Sequence, residues 1–135
     1  MAVEGLVNLR SSFGPKETTE RLKAELQASG LTVFAQIDHA AGAAGVGLEL
    51  RPTEVVVFGN AKGGTPLMQA SQTAGIDLPL KALIWQDAAG DTWLSYNDPA
   101  WIAQRHGVTD RTKTVTANMS TMLGAVAKAV TSPAA

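Results

Sequence analysis

Cysteine is absent from the 135 residues, which excludes disulfides, thiolate nucleophiles and cysteine-held metal sites. Histidine occurs twice, too sparsely for a zinc or iron site that needs three or four converging ligands, so no metal and no cofactor are expected. Charge is thin and mixed: 17% of residues carry one, and 11 basic against 12 acidic side chains leave a net charge of -1 with no block of either sign. That pattern lacks the electrostatic footprint of a nucleic-acid binder, so no nucleic acid is expected as a partner. No run approaches the roughly 18 apolar residues of a membrane span, and the opening MAVEGLVNLR has no basic segment followed by an apolar core. The expectation is therefore a cytoplasmic protein with no membrane partner. What is present is 45% hydrophobic residues, enough for one core in one domain.

The stretch RPTEVVVFGNAKGGTPLM, Arg51 to Met68, organises the chain. Val55, Val56, Val57 and Phe58 form an unbroken β-branched and aromatic run, which suits a central strand covered on both faces. Gly59 and Asn60 end it, Lys62-Gly63-Gly64 reads as a basic turn, and Thr65-Pro66 offers an N-cap hydroxyl followed by a proline suited to the first helical position.

Around this centre the pattern predicts a strand at Leu6–Ser11, then a helix capped by Ser12 or Gly14 with Pro15 at its start. Thr18, Leu22, Leu26 and Ser29 mark its inner face, Glu17 pairs with Arg21 outside, and Gly30 stops it. Leu31 to Ile37 alternates as a second strand. DHAAGAAGVGLEL, weakened by three glycines, predicts a short helical piece. After the central strand, Leu78-Pro79 leads into a strand at Leu80–Gln86, and Asp87–Asp91 reads as an exposed hairpin turn to a return strand at Thr92–Tyr96. Asn97-Asp98-Pro99 starts a helix that Gly107 ends, with Asn97 preferred as its cap. Val115, Met119, Met122, Leu123, Val126 and Val130 form the apolar stripe of a last helix over about 115–130, with fraying from Thr131. The fold class is α+β: a single domain over 1–135, in strand, helix, four strands, helix order, with a mainly antiparallel sheet and helices packed on one face.

The combination IDHAAGAAGVGLELRPTEVVVFGNAKGGTPLM, then IDLPLKALIW, then GDTWLSYNDPAWIAQRHGV resembles the prokaryotic family known as domain of unknown function 302, over about Val7 to Val108. The resemblance implies a sheet topology similar to that of TATA-binding protein. It fixes no reaction and no ligand. This chain departs from the family pattern at Ala61 and Gly63, where members show proline and alanine, and at Gln72, where they show proline, so a less rigid turn is expected.

The favoured candidate site is an anion cradle: Lys62 beside the amides of Gly63 and Gly64 and the helix start at Thr65, with Asn60, Arg51, Asp38 and His39 as further ligand-binding residues. Asp38, Asn60 and Ser95 are expected near one rim. The corresponding function is a small-ligand or anion-binding module. The alternatives are a homodimeric assembly protein, since the doubly apolar central strand implies more apolar surface than one helical layer covers, and an enzyme with His39 or His106 as base oriented by Asp38 or Asp77. The catalytic assignment stays open, and no recognisable catalytic motif is present. Trp85, Trp93, Tyr96 and Trp101 are read as core rather than as the wall of a ligand site.

Overall fold

The computed structural model describes residues 2–133. It confirms the α+β fold as one domain with helices against a five-stranded antiparallel sheet. The elements run β1 (Leu6–Ser11), α1 (Pro15–Ala28), β2 (Thr32–Asp38), α2 (His39–Gly45), β3 (Thr53–Gly59), α3 (Ala61–Ala70), a 3-10 helix at Gln72–Asp77, β4 (Leu80–Gln86), β5 (Thr92–Asn97), α4 (Pro99–Arg105), a 3-10 turn at Asp110–Thr112 and α5 (Lys113–Thr131). The sheet order is β1-β5-β4-β3-β2 with every neighbour antiparallel. β1 and β2 therefore form opposite edges, and α1 carries the chain across the sheet between them.

Register decides which side chains meet the helices. Val7, Tyr96, Ala82 and Val56 lie in one cross-strand row, and Leu9, Leu94 and Ile84 in the next. These two rows, with Phe58 and Leu80, face α1, α3, α4 and α5 and enclose Leu22, Leu26, Leu67, Ile102, Leu123 and Val130. Each buried side chain of this kind contributes roughly 1.5–3 kcal/mol before ordering entropy. The opposite face carries Val55, Leu83 and Ile37 in one row and the Trp85–Trp93 pair in another, with ring centroids 6.1 Å apart. Trp85 and Trp93 are thus half-buried on the outer face and not in the core as expected, each with its indole N–H satisfied, by Ser95 and Asp87 respectively. The expected hairpin turn at Asp87–Asp91 is present, with Ala88, Ala89 and Gly90 exposed and the Asp87 carboxylate accepting from the Ala89 and Asp91 amides.

Three helices end in the same way. After α1 the Gly30 amide donates to Gln27 and the Leu31 amide to Leu26; after α2 the Gly47 amide donates to Ala44 and the Leu48 amide to Ala43; after α4 the Gly107 amide donates to Gln104 and the Val108 amide to Ala103. Each is a left-handed glycine cap that normally packs the residue after the glycine onto the helix's last turn. Leu31 packs against the core and Val108 is 1% exposed, but Leu48 remains 66% exposed.

Several local expectations differ. Arg21 does not pair with Glu17; its guanidinium lies 4.1 Å from the Phe13 ring centroid and donates to the carbonyls of Ala129, Val130 and Ser132, closing the C-terminus of α5. A cation there opposes the negative helix end, and sequence spacing within one helix cannot show it. Ser29 is exposed and serves as the cap of α1. The cap of α4 is Asp98, whose carboxylate accepts from the Ala100 amide, and not Asn97, which still belongs to β5 and pairs with Leu6. Thr131 does not fray: it is buried and donates its hydroxyl to Ala127. Ala134 and Ala135, also expected to fray, lie outside the described residues.

Candidate functional site

The expected anion cradle is not formed. α3 begins at Ala61, four residues before Thr65, with Asn60 as its cap, so Gly63 and Gly64 lie inside the first turns of a helix and Pro66 lies within it. The Asn60 side chain accepts from the Gly63 amide at 2.7 Å and its carbonyl accepts from the Gly64 amide at 3.2 Å. Both amides assigned to an anion are therefore already satisfied, because an asparagine at the strand end competes for them locally and wins. Lys62 is exposed on the outer side of the turn.

Antiparallel pairing also disperses the other candidates. Arg51 precedes β3 and Asn60 follows it, so about 3.3 Å per residue separates them by roughly 20 Å or more. Asp38 pairs with Glu54 at the Arg51 end of β3. There its carboxylate caps α2 through the Ala41 amide at 2.9 Å, His39 is exposed, and the Arg51 guanidinium donates to the Gln86 carbonyl at 3.2 Å. Ser95 sits at neither rim; it is 1% exposed in mid-sheet, bonded to Asn8 and Trp85. Asp38, Asn60 and Ser95 therefore occupy three separate places.

What does lie at the Asn60 end is an apolar cavity of about 360 Å³ between α3, α5 and the start of β4. Met68, Met119, Met122, Leu78 and Phe34 form its walls, and Asn60 and Thr65 are its few polar linings. Lys62, Arg51, Asp38 and His39 do not line it. Such a wall does not compensate a desolvated anion.

The second imidazole behaves differently. His106 caps α4, has a side chain only 7% exposed, and holds its Nε2 at 2.6 Å from Asp77 Oδ2 while Nδ1 lies 2.9 Å from the Thr73 hydroxyl. Arg105 donates to both Asp77 oxygens at 2.8 Å. Burial pushes the Asp77 carboxyl up, but the hydrogen bonds from His106 and Arg105 and their charges together hold it below its ordinary value of 3.8. Of the imidazoles and carboxylates named from the sequence, the structure joins His106 with Asp77. Thr73 and Ser71, whose hydroxyls lie 3.0 Å apart, extend the chain of bonds and carried no signal in the sequence, since contacts 33 residues apart leave no periodicity. Arg105 could have been suspected only from its place beside His106. The network ties the 3-10 helix at Gln72–Asp77 to the end of α4; none of its members lines the apolar cavity. No group of three or more His, Asp or Glu arranged to hold a metal occurs among the described residues.

Comparison with known proteins adds three findings. The family described as "Domain of unknown function DUF302" matches residues 7–126. The chain is 50% identical over 104 residues to the Fluoride-specific ion channel FluC 1 of Brucella suis, covering 77% of this chain and 41% of that protein. The same identity and length hold for the Fluoride-specific ion channel FluC 1 of Brucella abortus and FluC 2 of Brucella melitensis, of which 38% is covered in each case. The chain thus spans about two fifths of the length of the curated relatives it matches. A crystal structure of an uncharacterized conserved DUF302 protein from Bacillus stearothermophilus superposes with a TM-score of 0.84 over 95% of this chain and 99% of that chain at 20% identity, which speaks to the fold alone. Relatives named as ion channels overturn three expectations: a cytoplasmic location, the absence of a membrane partner, and a function as a small-ligand or anion-binding module around Lys62. Composition failed here because hydropathy reads only the residues of this chain and is blind to whatever a relative carries beside them.

Proposed function

We propose that this chain, which belongs to the family described as domain of unknown function DUF302, is an extramembrane domain that works with a fluoride-specific ion channel without forming its pore. The observation that carries this reading is the contrast between identity and coverage. Half of the residues match over 104 positions, yet those positions make up 41% or 38% of the channel-named relatives. A pore needs helices of about 20 apolar residues or a closed barrel, because lipid offers no partner for backbone polar groups. Among the described residues no helix is long and apolar enough to cross a membrane, and the five strands form an open sheet edged by β1 and β2. The spanning part of such a channel then belongs to the length that this chain does not match.

Intracellular fluoride tests the reading. Cells deleted for this chain and challenged with fluoride should retain more of it than parent cells, measured with a fluoride-selective electrode after permeabilisation, and re-expression should restore the parental value. The purified chain in proteoliposomes should conduct no fluoride. Identical fluoride content in parent and deletion cells would remove the link to a channel, and flux through the chain alone would make it the pore and defeat the proposal from the other side.

A further inference from the structure

The cavity at the Asn60 end of the fold rejects an anion, but its walls suit a different guest. Its volume of about 360 Å³ lies within the range of small-molecule sites. Every methionine of the chain after Met1 lines it: Met68 on α3, and Met119 and Met122 on α5. Unbranched thioethers adapt to irregular shapes and make favourable contacts with aromatic rings, which is why methionine gathers at binding surfaces. The register of β2 against β3 shifts between Val33 and Ala35, and Phe34, at the shift, stands 55% exposed on the cavity wall with its ring edge near Gly59. Irregularities of this kind re-aim a side chain, and the one re-aimed here is an aromatic ring left in water beside an apolar cavity. The polar lining is small and directional. The Asn60 side-chain oxygen accepts from the Gly63 amide at 2.7 Å, so its NH2 remains as a donor, and Thr65 adds a hydroxyl.

We propose that this cavity binds an uncharged, flat and largely apolar molecule of about two rings that carries one oxygen acceptor. Volume sets the size: an apolar cavity of about 150 Å³ holds one benzene, so about 360 Å³ takes roughly two rings. Three thioethers and the Phe34 ring select an aromatic guest over a saturated chain, because both make specific contacts with a π-system. The Asn60 NH2 and the Thr65 hydroxyl supply donors for a carbonyl or similar oxygen. No charged side chain among the described residues lines the cavity, so desolvation of a carboxylate or phosphate would go uncompensated. This chemistry is the reverse of the rejected cradle around Lys62, and it does not depend on the reading of the chain as a channel's companion.

The probe is acetyl-dimethylaminonaphthalene, an uncharged bicyclic ketone whose emission moves to the blue in apolar surroundings. Added to the purified chain it should shift and saturate at one per chain, and acetylnaphthalene should displace it at least about tenfold better than naphthoate, the anion of the same size. The methionines report the place: in NMR of methyl-labelled methionine, the resonances of Met68, Met119 and Met122 should move together as the ketone is added. Gly64 offers a way to fill the cavity without harming the fold. It lies in a helix, and a Cβ there would meet Leu78 Cδ1 at 3.7 Å and Met68 Cε at 3.8 Å, ordinary contacts with two wall residues. Gly64→Ala and Gly64→Leu should both hold or raise the melting temperature, since either residue favours a helix over glycine, while Gly64→Leu alone weakens the ketone about tenfold or more. Thr65→Val should weaken acetylnaphthalene by about three- to tenfold and leave ethylnaphthalene, which has no oxygen, unchanged. The proposal is overturned if the emission does not shift, if naphthoate competes as well as the ketone, if the three methionine resonances stay in place, or if Gly64→Leu binds like the wild type. No membrane, channel or fluoride enters these measurements, so failure here leaves the fluoride reading standing, and a null fluoride phenotype leaves this result standing.

Discussion

Gly5→Ala should be among the most damaging single-methyl additions in the protein, and its cost can be divided in advance. Gly5 has φ of +76°, a conformation that L side chains rarely adopt, and a Cβ built on it would lie 2.6 Å from Trp101 Cδ1 and closer still to Cγ. The backbone around it is committed, since its carbonyl accepts from the Asp98 amide at 2.7 Å as α4 begins. The left-handed conformation costs a non-glycine residue about 1–2 kcal/mol. Forcing a methyl group into an indole held from behind adds about 1–3 kcal/mol of overpacking. The sum is roughly 2–5 kcal/mol. Gly47→Ala isolates the first part, because Gly47 has the same φ of +76° with nothing within 4 Å of its would-be Cβ. Urea unfolding of wild type and both variants, fitted with a common slope, should therefore place Gly5→Ala about 1–3 kcal/mol below Gly47→Ala. Trp101→Leu in the Gly5→Ala background should return most of that difference as a coupling energy in the double-mutant cycle. If Gly5→Ala and Gly47→Ala agree within about 0.5 kcal/mol, the usual additivity error, Trp101 does not press on Gly5 and the reasoning fails.

Three further outcomes are expected. Asp77 has a folded-state pKa below its unfolded value of 3.8, so its stabilisation is present above that value and is lost as pH falls through the lower folded pKa; Asp77→Asn should flatten this part of an acid-denaturation profile and cost about 1–2 kcal/mol at neutral pH, trimmed by screening at the half-exposed Arg105. An unchanged acid profile would refute the role given to the Asp77 pair. Asn60→Ala should lose about 1 kcal/mol in thermal or urea unfolding through the uncapped Gly63 amide, and phosphate at matched ionic strength should leave the wild-type melting temperature where it was; a phosphate-dependent rise would restore the anion cradle that the geometry rejects. Two glycines inserted after Ala89 should leave soluble expression intact and the melting temperature nearly unchanged, because the turn is exposed and its bonds are local; loss of soluble protein would contradict that placement.

Hydrophobic period, turn residues and capping motifs were sufficient to locate the strands and most helices, because those signals act within a few residues of chain. The alternation in Leu31–Ile37 and the apolar run at Val55–Phe58 identified β2 and β3, and the glycine and aspartate content of Asp87–Asp91 marked the hairpin. Local signals also misled where two of them competed. Thr65-Pro66 and Asn60 are both plausible helix starts, and the structure favours Asn60 because its side chain and carbonyl together engage the Gly63 and Gly64 amides. Nothing in the spacing could tell that Arg21 closes the far end of α5, or that Thr73, Asp77, Arg105 and His106 converge. Those contacts span 28 to 111 residues and follow only from how the chain crosses the sheet. The candidate site scattered for a simpler reason: Arg51 and Asn60 flank β3, and an extended strand holds its two ends apart although nine positions separate them in sequence. Sequence alone therefore determined the elements and the α+β class, whose causes are short-range, and tertiary structure decided which polar groups meet and which sheet face receives the helices.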